Sequence, residues 1–159
     1  MNSQGFEIVE FIKHKSNHKS SFYAIKLDSE TKSEADAFFD KFENTKKEEI
    51  EILSGKIDYM VTKRGCLESF FELKESKIDD NICCLKAGKL RLYCLRYSKV
   101  AVILGGGDFK DVNTYQESED LNKHVKLLQV IYALIDERIK DKEIIITENS
   151  ITGKLKFNL

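Results

Sequence analysis

Between Ile82 and Lys110 the chain reads ICCLKAGKLRLYCLRYSKVAVILGGGDFK, short apolar runs cut by Ala87-Gly88 and by Tyr97-Ser98-Lys99. In the middle run Leu90, Leu92 and Cys94 point one way, while Lys89, Arg91 and Tyr93 point the other. A period of two residues predicts a half-buried strand. Val100 to Leu104 is apolar on both faces, which predicts an interior strand covered on both sides. The stretch reads as an antiparallel meander whose polar face carries Lys89 and Arg91, and function is expected on or beside that face.

Upstream, Phe6 to Lys13 and Phe22 to Asp28 read as strands joined by the polar loop HKSNHKSS. A short helix is predicted over Ser33 to Asn44, capped by Ser33 with Asp36 three residues on, and striped by Ala35, Phe38, Phe39 and Phe42. Thr45 opens a second helix with Glu48 as its capping-box partner. Ile50, Leu53, Ile57 and Val61 line one of its faces, and Gly65 suits the residue after its end. Two amphipathic helices with a tight junction make a hairpin, which must bury its seam on the sheet. A long helix follows from Glu119 to Lys140, with Leu121, Val125, Leu128, Ile131 or Tyr132, Ile135 and Ile139 on its buried face. The tail from Glu143 to Leu159 reads as two strands around Asn149-Ser150.

That order predicts one α+β domain over residues 1–159. Its antiparallel sheet has four to six strands, packed by an N-terminal helix hairpin and a C-terminal helix. A hydrophobic content of 42% with 33% charged residues fits an ordinary globular chain able to bury a core. No run approaches the roughly 20 apolar residues of a membrane span. The N-terminal stretch lacks the basic and apolar regions of a secretory signal, so a cytoplasmic protein with no membrane partner is expected.

Net charge is −1, which excludes a strongly basic nucleic-acid binder by composition. Charge is unevenly placed, however. From Ile82 to Tyr115 the bases are Lys86, Lys89, Arg91, Arg96, Lys99 and Lys110, against only Asp108 and Asp111. A local patch of that kind can steer a phosphate-rich partner while the molecule stays near neutral. Its plain reading is a solvated sheet face.

Cys66, Cys83, Cys84 and Cys94 form no CxxC pair and read as buried reduced thiols. His14 and His18 have helical spacing but sit in a Ser/Asn/Lys loop, and His124 falls in the last helix, away from the patch. No metal site or cofactor is called for. Gly105-Gly106-Gly107 matches neither a P-loop nor a dinucleotide fingerprint and reads as a bend that leaves the sheet.

The segment from Gly88 to Tyr115, GKLRLYCLRYSKVAVILGGGDFKDVNTY, resembles the central pattern of the RelE/ParE-like toxin superfamily, including its HigB-type members. The shared features are a basic strand with an arginine near its middle, a turn, an apolar strand, and a basic loop ending in an aromatic. With the helix hairpin before it, the resemblance spans Phe22 to Lys140, and the first strand and the C-terminal hairpin are additions.

It implies the toxin of a type II toxin–antitoxin pair, with an antitoxin protein as partner and no small-molecule cofactor. Ribosome-dependent members cut messenger RNA by making a 2′-hydroxyl attack the adjacent phosphate, which needs a base, an acid and cations for the developing charge. By resemblance, Arg91, Lys110 and Tyr115 are the catalytic candidates: phosphate stabiliser, basic loop residue, and base, acid or stacking group. Lys86, Lys89, Tyr93 and Arg96 are the RNA-binding candidates, Tyr93 by stacking a base. The chain departs from the pattern in its single loop lysine, flanked by Asp108 and Asp111. Two other readings stand beside this one. The protein is a toxin-fold chain that acts by binding, as gyrase-directed members do, or that has lost activity, or it is a stand-alone module that docks an acidic protein.

Overall fold

The computed structural model of the chain describes residues 4–11, 20–72, 82–97, 101–110, 119–147 and 150–159. Strands β1 (Gly5–Glu10) and β2 (Ser21–Leu27) lead into helices α1 (Glu34–Phe42) and α2 (Lys47–Tyr59). The meander follows as β3 (Ile82–Ala87), β4 (Leu90–Arg96) and β5 (Ala101–Phe109). Helix α3 (Glu119–Lys140) precedes three short strands, β6 (Ile144–Ile146), β7 (Ile151–Gly153) and β8 (Lys156–Asn158).

Local chemistry explains the helix ends. Ser33 caps α1 by accepting the Asp36 backbone N–H at 3.1 Å, as its sequence pattern predicts. The cap position of α2 is Lys46 rather than Thr45, and it makes no side-chain capping bond. After α2 the backbone widens into a π turn over Met60–Arg64, which ends at Gly65 with φ of 77°. A side chain at that angle would be strained, which is why glycine stands there.

The main sheet has six strands in the order β3-β4-β5-β2-β1-β8, and β6 and β7 form a separate hairpin. The expected all-antiparallel sheet is corrected at one seam. β2 and β5 run parallel, with Ser21 opposite Ala101 and Ala24 opposite Leu104. The direction follows from the connections. The helix pair carries the chain back, so β3 starts in the direction of β2, and the two reversals of the meander return β5 to it. The tail holds three strands where two were expected. β8 extends the main sheet beside β1, where Phe157 stacks on Phe6 with ring centroids 4.5 Å apart.

Both faces of the sheet are covered. Phe22, Leu85, Leu92 and Leu104 pack with Phe38, Phe42, Leu53 and Ile57 of α1 and α2. On the opposite face Tyr23, Ile25, Tyr93, Leu95 and Ile103 pack with Leu121, Val125, Leu128, Ile131 and Ile135 of α3. The stripe expected along α3 is therefore the stripe that is buried. Its burial also corrects the expected polar sheet face. The face of β4 that holds Lys89, Arg91 and Tyr93 lies under α3 from Tyr93 onward, and only the end with Lys86, Lys89 and Arg91 emerges.

All four cysteines are free and buried, with Cys83 and Cys94 opposite one another and their sulfurs 3.6 Å apart. Burial pushes the Cys66 thiol up to about 11. No helix among the described residues is long and apolar enough to cross a membrane.

Candidate functional site

Register brings four of the predicted residues to one end of the sheet. Arg91 on β4 lies opposite Lys86 on β3 and opposite Asp108 on β5. Lys89 sits in the β3–β4 turn beside Gly88, whose φ of 57° makes the tight reversal possible. The Lys110 backbone N–H donates to the Lys89 carbonyl at 2.6 Å, which fixes the exit of β5 against that turn.

The cations there are partly committed. Arg91 Nη1 donates to the carbonyls of Gly88 at 2.8 Å and Leu90 at 3.0 Å, so the guanidinium folds over the turn. Lys86 pairs with Glu72 at 3.2 Å, an exposed contact of small energetic weight. Lys56 Nζ donates to the Lys86 carbonyl at 2.7 Å. Burial, and then the nearby Lys86 charge, lower the proton affinity of Lys56.

The remaining predicted residues part company with this cluster. Arg96 is at the far end of β4, where its Nε donates to the Cys66 carbonyl at 2.8 Å and ties the π-turn exit to the sheet. Tyr93 is 0% exposed, so its ring has no open face to offer a base, in contrast with the expected stacking role. Alternation explains this, since Tyr93 follows Arg91 by two positions and that step carries it beneath α3. Tyr115, His14 and His18 lie outside the described residues.

An aromatic that sequence reasoning passed over stands at this end of the sheet. Phe109, at the end of β5, has Lys46 Nζ 4.5 Å and Lys89 Nζ 5.8 Å from its ring centroid. Its half-exposed ring thus sits among ammonium groups from the N-cap of α2 and from the β3–β4 turn. Lys41 of α1 reaches the same end, where it pairs with Asp108 at 3.2 Å.

Beside this cluster the sheet opens. Pairing between β2 and β5 stops at Ala24 and Leu104, while β5 continues to Phe109 along β4 alone. Between Leu92 and Cys94 of β4 the register slips, because β5 advances three residues, from Leu104 to Gly107, where β4 advances two. Gly105 and Gly106 form that bulge, so the triple glycine lies inside β5, which corrects the expected bend out of the sheet. Each glycine admits a neighbour. A Cβ at Gly105 would stand 2.9 Å from Leu128 Cδ1, one at Gly106 2.7 Å from His124 Nδ1, and one at Gly107 1.9 Å from the Arg91 carbonyl oxygen.

Where the strands part there is a cleft of about 130 Å³ lined by Glu34, Phe38, Lys41, Gly107, Asp108 and His124. Glu34 is half-buried on the first turn of α1. Burial, and then the neighbouring Glu30 charge, raise its carboxyl above the usual range, while Lys123 pulls the other way. His124 was expected to lie apart from the patch. It stands one helical turn before Leu128, and that turn packs on the glycine bulge, so α3 delivers the imidazole to the cleft. Spacing in the sequence contains this hint, since a core leucine four residues after a histidine puts both on one face.

Among the described residues no group of three His, Cys, Asp or Glu side chains could hold a metal ion. No protein-family model, curated protein or solved structure matches the chain. The toxin resemblance therefore rests on the Gly88–Tyr115 pattern itself.

Proposed function

We propose that the chain is the toxin of a toxin–antitoxin pair, working in the cytoplasm, and that it grips single-stranded RNA, messenger RNA at the ribosome above all, at the cationic end of its sheet. The observation that carries this reading is the Phe109 ring flanked by Lys46 and Lys89. Single strands are held by aromatic platforms for the bases and by cations that follow the backbone. Magnitudes permit an exchange at this ring. The two lysine–aromatic contacts are together worth about 1–2 kcal/mol, comparable with the about 1–3 kcal/mol of a base stacked on an aromatic. A base can displace the ammonium groups from the ring, and they can then turn to phosphate oxygens. Arg91 and Lys110, next to the ring along the β3–β4 turn, extend the same charged track.

Fluorescence anisotropy of a 5′-labelled single-stranded RNA oligomer, over a series of salt concentrations, tests this. Wild type should bind, with affinity falling as salt rises. In the Lys46→Ala, Lys89→Ala double variant the log–log salt slope should become shallower by about 0.7 for each lysine lost. Phe109→Ala should lose about 1–3 kcal/mol at all salt concentrations. Absence of salt-dependent RNA binding by the wild type would end the reading.

A groove between α1 and α2 supports the partner side of the proposal. Its walls include Phe11 and Phe39, stacked 5.9 Å apart, with Ile57, and its rim carries Asp36, Asp40 and Asp58. Asp40 is paired there with Lys32. An antitoxin segment presenting an apolar side chain between lysines or arginines would match this chemistry. It would leave the RNA-gripping end uncovered.

A further inference from the structure

Helix α3 buries one side, from Leu121 to Ile135, on the sheet. The opposite side of a surface helix is expected to be polar. Here Val130 stands at the centre of that outward side and is 51% exposed. Leu127 and Leu134, three residues before it and four after it, lie on one shoulder, half-buried and leaning on the α3-side core. The three make a short apolar ridge. Lys123 stands one heptad before Val130 and Glu137 one heptad after it, and both are exposed.

A single exposed valine needs no explanation. Opposite charges placed symmetrically about it do, because such a face is complementary to itself read backwards. When a second α3 crosses antiparallel at Val130, Lys123 falls opposite the partner's Glu137, and Glu137 opposite the partner's Lys123. Leu127 falls opposite the partner's Ala133, a small residue that lets the two helices approach closely. Lys126 falls opposite the partner's Leu134, over which its methylene stem can lie. A parallel pairing would set lysine against lysine and glutamate against glutamate, which is unfavourable. A uniformly basic or acidic partner would meet a like charge at one end whichever way it lay.

We propose that the outward face of α3 is the interface of a homodimer, covered by the antiparallel α3 of a second copy, with a two-fold axis through Val130. This inference stands apart from the RNA reading. One helix face is at the small end of specific interfaces, below about 1,200 Å² in total, so the dimer should dissociate on dilution. Through His124 and Leu128, the N-terminal half of α3 packs on the glycine bulge of β5. An antiparallel pair therefore carries the two bulges, and the clefts beside them, to opposite ends of the dimer.

Sedimentation equilibrium of the full chain, from low micromolar to submillimolar concentration, tests this. Wild type should pass from monomer to dimer across the series. A zero-length carbodiimide should then join Lys123 to Glu137 through an amide, identified by mass spectrometry of the peptides. Within one helix those two residues are two heptads, about 21 Å, apart, so such a link must join two chains. Val130→Asp, at an exposed site, should be folded by circular dichroism and stay monomeric. Lys123→Glu sets carboxylates against each other at both ends and should raise the dissociation constant at least about tenfold. The double variant Lys123→Glu, Glu137→Lys restores opposite charges across the axis, and should return the constant to within about threefold of wild type. Lys123 also acts on Glu34 of its own chain, but a loss caused through that contact would not be rescued by a change at Glu137. A wild type that stays monomeric across the series overturns the proposal. A dimer that forms without the Lys123–Glu137 link, or that survives Val130→Asp unchanged, overturns it too and puts the contact on another face.

Discussion

β5 is two different strands joined end to end. From Ala101 to Leu104 it has β4 on one side and parallel β2 on the other, and all of these residues are 0% exposed. From Gly105 to Phe109 it keeps β4 but loses β2, and apolar side chains give way to glycines, Asp108 and Phe109. The first half is closed on every side and holds both cores together. The second half is closed by β4 alone, and helices from both layers fill the gap that β2 leaves. The difference teaches that position in the sheet, more than strand type, decides which half can meet a ligand. In parallel pairs the carboxyl ends of diverging strands are where crevices form.

Substitutions should separate the halves sharply. Ile103→Ala, in the closed half, removes a branched side chain from the α3-side core. It should cost about 2–5 kcal/mol in a urea unfolding titration and leave the RNA affinity of the folded fraction unchanged. A loss under about 1 kcal/mol would mean that this half is not the seam of the two cores.

Within the open half, the backbone neighbour should matter more than the side-chain neighbour. Gly107→Ala would drive a methyl to 1.9 Å from the Arg91 carbonyl oxygen, and strand backbone cannot step aside without breaking the β4–β5 ladder. A cost of about 1–3 kcal/mol is expected from such overpacking, with disruption of the turn that carries Lys89. Gly105→Ala meets only the ends of Leu128, 2.9 Å away, which can rotate within its rotamer wells. It should cost less than Gly107→Ala in the same titration. The reverse order would place the bulge at the wrong residue.

Much of the closed half could be read from the chain before any coordinates. Ser33 with Asp36, the α3 stripe from Leu121 to Ile135, and the apolar run from Val100 to Leu104 are local patterns, and local patterns announce local structure. The parallel pairing of Ser21–Ala24 with Ala101–Leu104 is not local. It depends on where the helix pair returns the chain, and no residue in either strand encodes a direction. Tyr93 misled for a related reason. Its alternation with Arg91 names a shared face, but which part of that face lies under α3 is set by helix position. Lys86, Lys89, Arg91 and Lys110 were legible as a cluster because they are near in sequence. Glu34 and His124 were not, since 90 residues separate them and only the fold juxtaposes them. Phe109 was overlooked because an aromatic after a glycine run carries no period.

The smallest effect concerns the charge state of the open half. The Glu34 carboxyl is raised in the folded chain by burial and by Glu30. An unfolded glutamate releases its proton near about 4.3. Between that value and the raised folded one, the native state binds the proton that the unfolded state has lost. Stability therefore falls as pH rises through this window, and levels off above it. Glu34→Gln has no such proton to hold. The difference in urea midpoint between Glu34→Gln and wild type should be constant below the window, shift in favour of the variant across it, and stay constant above. Because Glu34 is only half-buried, water screens part of the effect and the shift should be smaller than either glycine substitution produces. A shift of opposite sign would mean that the carboxylate gains a cation on folding. Glu34 would then be a structural ion-pair member. The same carboxyl tested at Ile103, in the closed half, would find no such accommodation, and Ile103→Glu should unfold the protein at neutral pH.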